Sequence, residues 1–288
     1  QTNKQTKMKT LYLDHNIIID IKDNRKPDFV HRINTLDKKD YQILFSPAHI
    51  EEIAALKMRH GNNDETVNSF LDKLGNITDS KALLPFERRD TVQRKRGGIY
   101  VSEEHPKTTY HRVIEHYENN SIAEEHQKEK ISRGEEIQRR TGITSLETNF
   151  INIQEEIDRF KPKLHQIIIN NYPSLRQSYP GLLRSHPPLC NEINFSHLGK
   201  KFPLHEMTME KIFEFLEARR YYPDKSTQFL SGLHDTTHAI YAAYCDIFIT
   251  NDNKLKNKTK ATYNWLGIKT LVLNPNEFIE HLDNRSSD

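Results

Sequence analysis

Apolar residues in this chain follow two patterns, one near its ends and one in its middle. Near the ends they form short runs rich in β-branched side chains that stop abruptly at polar residues, as buried parallel strands do. Helix-like segments follow these runs, so the pattern predicts βα alternation at both ends and an α/β fold with a parallel sheet flanked by helices. The predicted strands are 9–13, 41–45, 247–249 and 270–273.

The middle of the chain shows helical spacing instead. Residues 67–74, 150–168 and 209–218 carry apolar side chains three and four positions apart, which predicts amphipathic helices. Residues 109–139 are very polar and are typical of one or two exposed helices, whereas 172–203 contain five prolines and predict a loop. We therefore expect a large all-helical insertion inside one α/β domain.

These patterns divide the chain into three parts. The α/β domain is predicted to consist of residues 9–59 and 233–288, and the helical insertion of residues 60–232. Residues 1–8 have no apolar core, so they cannot be a signal peptide. We expect them to be a leader outside the fold, either disordered or foreign to the natural chain.

Acidic residues occur where the predicted strands end. Asp14 follows the first strand, Glu52 lies on the helix after the second, Asp235 opens a helix, and Asp252 follows a further strand. Each has a simpler interpretation alone, because Asp14 could cap a helix and Glu51 or Glu52 could be solvated. Ligands of open α/β sheets, however, bind at the carboxyl ends of the strands. Converging carboxylates repel one another unless a cation neutralises them, and Mg²⁺ or Mn²⁺ suits such an all-oxygen site.

Composition excludes several classes of protein but identifies no partner. The 288 residues carry a net charge of +2, so any nucleic-acid surface must be local. Cys190 and Cys245 exclude a disulfide scaffold or a cysteine-ligated zinc site, and they suit a reducing cytoplasm. No apolar run approaches the roughly 18–20 residues that span a bilayer, so we expect no membrane association. HExxH, phosphate-binding glycine loops and Gly-x-Ser-x-Gly are also missing from the sequence.

Four motifs together resemble the PIN-domain family of ribonucleases, which includes the VapC-type toxins. They are Leu-Tyr-Leu-Asp14-His-Asn16, Ser46-Pro-Ala-His-Ile-Glu51-Glu52-Ile, Asp235-Thr-Thr-His-Ala-Ile-Tyr-Ala-Ala and Asp246-Ile-Phe-Ile-Thr250-Asn251-Asp252. The resemblance covers about a third of the chain, roughly 9–59 and 233–283, and departs from the family in the long middle segment. It implies a PIN-like parallel sheet, an acidic pocket that holds a divalent metal, and cleavage of single-stranded or structured RNA.

The resemblance also implies roles for individual residues. Asp14, Glu52, Asp235 and Asp252 would be the catalytic, metal-binding acids. Glu52 is preferred over Glu51 because the family's acid usually precedes an aliphatic residue. Asn16, Thr250 and Asn251 would be supporting polar residues. An endonuclease of this kind would harm its host, so we expect a toxin–antitoxin or antiviral defence protein with an inhibitory antitoxin or an activating partner.

Other residues have a functional and a structural interpretation. His238, one helical turn after Asp235, could orient a carboxylate or touch substrate, or it could be a structural histidine. Two basic stretches could contact nucleic acid, or they could be a solvated loop and a packed helix end. They are Arg88, Arg89, Arg94, Lys95 and Arg96 before Gly97-Gly98, and Arg219-Arg220 before Tyr221-Tyr222.

Two other functions remain open at this stage. One is a structure-specific DNA nuclease of related fold, with the insertion as a substrate clamp. The other is a PIN-like scaffold that binds RNA or protein without cleaving it. The sequence does not indicate whether the chain forms a homo-oligomer.

Overall fold

The computed structural model describes residues 7–61, 63–116, 132, 134–136, 138–224 and 229–285. Most of the predicted leader and much of the 109–139 segment lie outside these residues. The strands are β1 (Lys9–Leu13), β2 (Tyr41–Leu44), β3 (Lys81–Leu84), β4 (Gln93–Arg96), β5 (Ile99–Glu103), β6 (Ile247–Ile249) and β7 (Leu271–Leu273). Four of them form a parallel sheet in the order β2-β1-β6-β7. The predicted α/β fold with a parallel sheet is therefore confirmed.

Helices cover both faces of this sheet. They are α1 (His15–Lys22), α2 (Pro27–Asn34), α3 (Pro47–His60), α4 (Asp64–Thr78), α5 (Pro106–His116), α6 (Ser145–Asn149), α7 (Ile153–Ser178), α8 (Phe195–Leu198), α9 (Phe202–Ala218), α10 (Phe229–Ala242), α11 (Asn253–Leu266) and α12 (Pro275–Arg285). A short 3₁₀ turn spans Cys190–Glu192. No helix in the described part of the chain combines the length and apolar character that crossing a bilayer requires.

Two hydrophobic cores lie on opposite faces of the parallel sheet, because successive side chains of a strand point to opposite faces. Leu11 and Leu13 of β1 belong to one core, together with side chains of α1, α2, α3, α4 and α12. Tyr12 and Phe248 belong to the other core, with side chains of α7, α9, α10 and α11. Leu11, Tyr12 and Leu13 are fully buried, so β1 is a central strand covered on both sides.

The prediction of an all-helical insertion is wrong for residues 81–103. Strands β3, β4 and β5 form an antiparallel sheet in the order β3-β5-β4, and Ala82 of β3 bridges Phe45 at the end of β2. Strand β4 escaped prediction because its sequence, Gln-Arg-Lys-Arg, has no apolar alternation. It pairs on one side only, and its side chains are at least partly exposed. The limits of the insertion as a domain stay a prediction.

One other segment is more helical than predicted. Helix α7 continues to Ser178 although it contains Pro162 and Pro173, so the predicted loop begins later than residue 172. Proline removes one backbone hydrogen bond and kinks a helix. Here the buried stripe of Ile157, Leu164, Ile168 and Tyr172 holds the helix against its neighbours despite the prolines.

Candidate functional site

Asp14 and Asp252 lie beside each other at the carboxyl edge of the parallel sheet. Their strands are neighbours, with Leu13 of β1 opposite Ile249 of β6. The Thr250 hydroxyl links the two acids, because it donates to Asp14 Oδ2 at 2.8 Å and accepts from the Asp252 backbone N–H at 3.0 Å. This contact gives Thr250 a supporting place beside the acids.

The capping interpretation is right for one of these two acids and wrong for the other. Asp252 caps α11, since its Oδ1 accepts from the backbone N–H groups of Lys254 and Leu255 at 2.7 and 3.0 Å. Asp14 precedes α1 but makes no side-chain cap bond, and it is only 1% exposed. A helix cap therefore does not explain the buried carboxylate of Asp14.

The prediction that Asp235 opens a helix is wrong, because Asp235 lies inside α10. Helix α10 begins at Phe229, six residues earlier. The predicted insertion ends at Gly232, which suggests that no helix continues through this residue. A glycine inside a helix costs only about 1 kcal/mol relative to alanine, however, and packing elsewhere can offset that cost. The helix still presents Asp235 to the other acids, and the side chain is 8% exposed.

The four predicted acids share one electrostatic environment. Burial raises the pKa of Asp14 to about 6, and the charges of Glu52 and Asp252 also raise it. His238 and the hydrogen bond from Thr250 lower this pKa in part. The pKa of Asp235 is raised well above its usual range by burial and then by Asp14, Asp252 and Glu52. Chain ends more than two hundred residues apart thus bring these carboxylates close enough to repel one another.

Glu52 faces this cluster, whereas Glu51 faces away from it. Glu52 Oε1 lies 3.2 Å from His238 Nε2, and its Oε2 lies 3.2 Å from His15 Nδ1. The pKa of Glu51 is raised to about 7 by burial and by Glu52, and the charge of Glu51 reaches Glu206 on α9. The orientation favours Glu52 as the second acid, although its catalytic role stays a prediction.

A directional chain of hydrogen bonds holds Glu52. Burial lowers the pKa of His238 to about 4, so its imidazole is neutral near pH 7 and only one ring nitrogen carries a proton. The carboxylate can only accept, so Nε2–H donates to Glu52. Nδ1 then accepts from the Tyr12 hydroxyl at 2.7 Å, and Tyr12 accepts from Ser46 Oγ at 2.6 Å. Of our two interpretations of His238, the contact fits the one in which it orients a carboxylate.

His15 and His49 also support the site, and sequence reasoning missed both. His15 stacks on Phe70, with ring centroids 5.3 Å apart, while its Nδ1 faces Glu52. His49 Nδ1 accepts from the Ser46 backbone N–H at 3.1 Å, so its Nε2–H donates to the Leu13 carbonyl at 2.6 Å. His49 occupies the third helical position, where glutamate or glutamine usually completes a capping box. The spacing Ser46-x-x-His49 was a usable signal.

Lys258, a buried cation near the acids, is paired with other carboxylates. Lys258 lies within electrostatic reach of Asp235, but its ammonium group pairs with Asp224 at 2.9 Å and Glu217 at 3.4 Å. All three members of this buried group are less than 10% exposed. Lys258 therefore pairs with two other carboxylates and forms no ion pair with the four acids.

The two remaining predicted supporting residues are Asn16 and Asn251. Asn16 is exposed on the first turn of α1. Asn251 donates to Asp20 at 2.9 Å, and Asp20 also pairs with Lys26 at 3.2 Å. Asp20 is a buried acid that the sequence reasoning overlooked. Asn251 therefore ties the loop beyond β6 to α1 through Asp20.

The basic residues of the first predicted nucleic-acid-binding stretch form no ion pair with the four acids within the described residues. Arg94, Lys95 and Arg96 form strand β4 and not a loop, because the glycine pair closes a hairpin with β5. Arg96 binds the Tyr244 carbonyl and Asp246, at the opposite edge of the parallel sheet. Arg88 and Arg89 lie in the connection between β3 and β4, and their role stays a prediction.

The second basic stretch packs a helix end. Arg219 forms an ion pair with Glu156 of α7, and Arg220 donates to Gln138 at 3.2 Å. Tyr221 is buried and meets Tyr222 edge to face, with ring centroids 4.9 Å apart. These contacts fit the packing interpretation, and nucleic-acid binding by Arg219 and Arg220 stays a prediction.

The donor chemistry of the cluster suits a hard cation, although its side chains are not arranged around one. No group of three or more His, Cys, Asp or Glu side chains in the described residues is spaced to hold a metal ion. Within the same residues, no hydrogen bond reaches Oδ1 of Asp14, Oδ2 of Asp252 or either carboxyl oxygen of Asp235. Each of these acids thus keeps an oxygen that could bind a metal.

Comparisons with protein-family models, with curated proteins and with solved structures found no match. The resemblance to PIN-domain ribonucleases therefore stays a prediction that rests on the four motifs. The fold defines the class more coarsely, as an α/β protein with a four-stranded parallel sheet and an acidic cluster at its carboxyl edge.

Proposed function

We propose that this chain is a metal-dependent endoribonuclease that hydrolyses phosphodiester bonds at the carboxyl edge of its parallel sheet. The observation that carries the proposal is the burial of Asp14 and Asp235 beside Glu52 and Asp252, with no described cation to neutralise them. Such uncompensated repulsion lowers stability, and proteins retain it mainly where it serves binding or catalysis.

Asp14, Asp235 and Asp252 are the residues that would hold Mg²⁺ or Mn²⁺, because each keeps an oxygen without a described hydrogen-bond donor. When bound, such an ion acts as a Lewis acid on the phosphate and activates water as the nucleophile. Both oxygens of Glu52 face neutral imidazoles. Glu52 would therefore join the metal site only if its carboxylate turned away from His15 or His238.

RNA is the proposed substrate because of the resemblance to PIN-domain ribonucleases, and the same resemblance supports a role in a toxin–antitoxin or antiviral defence system. Metal-assisted hydrolysis needs no nucleophilic side chain, which fits a cluster without a serine or cysteine nucleophile. Among the described residues no ion pair joins Arg88, Arg89, Arg94 or Lys95 to the four acids, so we assign them no part in the cleavage step.

The first experiment measures metal binding without activity. Unfolding temperature is recorded with and without Mn²⁺ for the parent protein, Asp14→Asn, Asp235→Asn and the control Glu51→Gln. A ligand at 100 times its Kd stabilises the folded state by about 2.7 kcal/mol. We expect the parent and Glu51→Gln to be stabilised, and both aspartate variants to lose most of the effect. Equal stabilisation of all four proteins would place the metal elsewhere.

The second experiment measures cleavage of matched RNA and DNA oligonucleotides in Mn²⁺. We expect endonucleolytic cleavage of RNA and a loss on the order of 100–1,000-fold in Asp14→Asn, as for removal of one preorganised electrostatic group. Exclusive cleavage of DNA would favour the DNA nuclease. Full cellular effect in Asp14→Asn and Asp252→Asn would favour the non-catalytic scaffold.

A further inference from the structure

A cavity opens at the amino edge of the parallel sheet. It has a volume of about 490 Å³ and is bordered by Arg96, Phe195, Lys200, Tyr244, Asp246 and Lys269. Asp246 immediately precedes β6 and binds Thr10 near the start of β1, whereas Asp14 and Asp252 follow these strands. The amino-edge cavity and the four acids thus lie at opposite ends of the same two strands. Its volume is within the range of about 300–1,000 Å³ that small-molecule sites occupy.

The walls of the amino-edge cavity are held in place by specific contacts. The β4–β5 turn packs so closely on the turn after α8 that a Cβ atom added to Gly98 would lie 2.2 Å from the Gly199 carbonyl oxygen. The Tyr244 hydroxyl donates to the same carbonyl at 2.9 Å. Only glycine at position 98 permits this approach. The glycine pair therefore builds a preformed wall.

Positive charge dominates the border of this cavity. Among its described residues Asp246 is the single acid, and Lys7, Arg96, Lys200 and Lys269 are cations. Burial alone would raise the pKa of Asp246, but hydrogen bonds from Thr10 and the charge of Arg96 hold it below its usual value. The one acid is therefore already compensated. Lys200 and Lys269 are exposed and have no ion pair with another described residue.

Arg96 is positioned to donate to an anion. Its Nε donates to the Tyr244 carbonyl and its Nη2 lies 3.2 Å from Asp246 Oδ2, which fixes the guanidinium plane. Five N–H groups are present on a guanidinium, so others remain for a ligand. Fixed, planar donors of this kind match phosphate oxygens.

The same cavity offers aromatic surface beside these charges. Phe195 and Tyr244 meet edge to face with ring centroids 5.3 Å apart, and Ala243 lies next to them. A flat ring can pack against such a surface while a linked phosphate reaches the cations. We propose that the amino-edge cavity binds a small phosphorylated ligand with a planar ring, of the chemical class of a nucleoside monophosphate. This proposal is independent of the nuclease activity.

Calorimetric titration of the full chain tests it. AMP, GMP, CMP, UMP and inorganic phosphate are titrated in low salt with EDTA, so that no metal bridges a nucleotide to the acidic cluster. We expect at least one mononucleotide to bind at one site per chain, more tightly than inorganic phosphate. The charge-reversed variant Lys200→Glu/Lys269→Glu should bind it at least 10-fold more weakly. Lys163→Glu, which changes an exposed cation on α7 outside the cavity, should bind as the parent does.

Several results would overturn the proposal. They are the absence of binding by all four mononucleotides, phosphate binding as tight as nucleotide binding, equal binding by the double variant and the parent, and binding only of longer RNA. Loss of binding in Asp14→Asn but not in Lys200→Glu/Lys269→Glu would place the nucleotide at the acidic cluster and would also overturn it. Circular dichroism of the double variant confirms that it is folded, since both lysines are exposed.

Discussion

The acid at the amino edge of the parallel sheet has a lowered pKa, whereas two acids at the carboxyl edge have raised pKa values. At the amino edge, Asp246 accepts from the Thr10 backbone N–H and hydroxyl and pairs with Arg96, which lowers its pKa despite partial burial. At the carboxyl edge, Asp14 and Asp235 lie deeper and face other carboxylates, which raises the pKa of both. The first acid therefore stabilises the fold near neutral pH, whereas the other two destabilise it. This contrast, more than acidity itself, identifies the candidate site.

The largest effect that we expect is on the rate of RNA cleavage, and it comes from the hydrogen bonds that hold Glu52. His238→Ala removes the donor to Glu52, and Tyr12→Phe removes the donor to His238 Nδ1. Residues that orient a functional carboxylate typically contribute about 10–100-fold in metal affinity or activity. We expect RNA cleavage to fall by about this factor in His238→Ala and by less in Tyr12→Phe, as measured by single-turnover kinetics.

A control separates positioning from general damage to the fold. His205 is as fully buried as His238, and its Nε2–H donates to the Ile240 carbonyl at 3.1 Å, while no described group bonds its Nδ1. His205→Ala should lower stability while leaving the cleavage rate of the folded protein near that of the parent. If both alanine variants lose activity in proportion to stability, His238 has no specific positioning role.

A smaller effect is expected when one charge is removed from each edge with little change in shape. This pair of substitutions compares the two edges directly. Asp246→Asn breaks a partly buried ion pair, so we expect a loss of about 1 kcal/mol in the free energy of unfolding. Asp235→Asn relieves repulsion, so the metal-free variant should unfold at a higher temperature than the parent. The shift is about 2–4 °C for each kcal/mol of relieved repulsion. Thermal unfolding in EDTA measures both. If both substitutions lower the unfolding temperature, Asp235 stabilises the fold as Asp246 does, and the proposed difference between the edges is wrong.

Much of the carboxyl edge could be predicted from the sequence because strand ends have local signals. The apolar run before Asp14 and the Ser46-Pro47 helix start both appear in the structure where the pattern places them. Parallel strands then bring their ends to one edge, so the convergence of the acids follows from the fold class. The direction of an individual side chain does not follow, which is why Glu51 and Glu52 could be ranked only by motif.

The amino edge could not be predicted, and the reasons are physical. Strand β4 is held by pairing with β5 and by the fit of Gly98 against Gly199, neither of which leaves a periodic pattern. The basic run therefore suggested a loop for binding nucleic acid, although Arg96 has a fixed structural partner in Asp246. His15, His49 and Lys258 were missed for a related reason, since their roles depend on partners distant in sequence or on an unusual cap.

The smallest expected effect is on the pH dependence of stability, and it isolates Asp14. The folded pKa of Asp14, about 6, is raised above the usual aspartate value of 3.8, so between these values the folded state binds more protons than the unfolded state. The contribution of Asp14 to stability therefore falls as pH rises from about 4 to 6. Buried histidines with lowered pKa, such as His238, act in the opposite direction over much of this range and would hide the effect in the parent alone.

Asp14→Asn isolates the contribution of Asp14 because both proteins share the same histidines, and an asparagine carbonyl can still accept from Thr250. The stability of the variant relative to the parent should increase between pH 5 and pH 7, by on the order of 1–2 kcal/mol. Urea unfolding in EDTA measures this difference. Saturating Mn²⁺ should reverse it, because a bound cation makes the ionised Asp14 favourable. A difference that stays constant with pH would show that the pKa of Asp14 is not raised in the folded state. A difference that Mn²⁺ leaves unchanged would show that Asp14 is not a metal ligand.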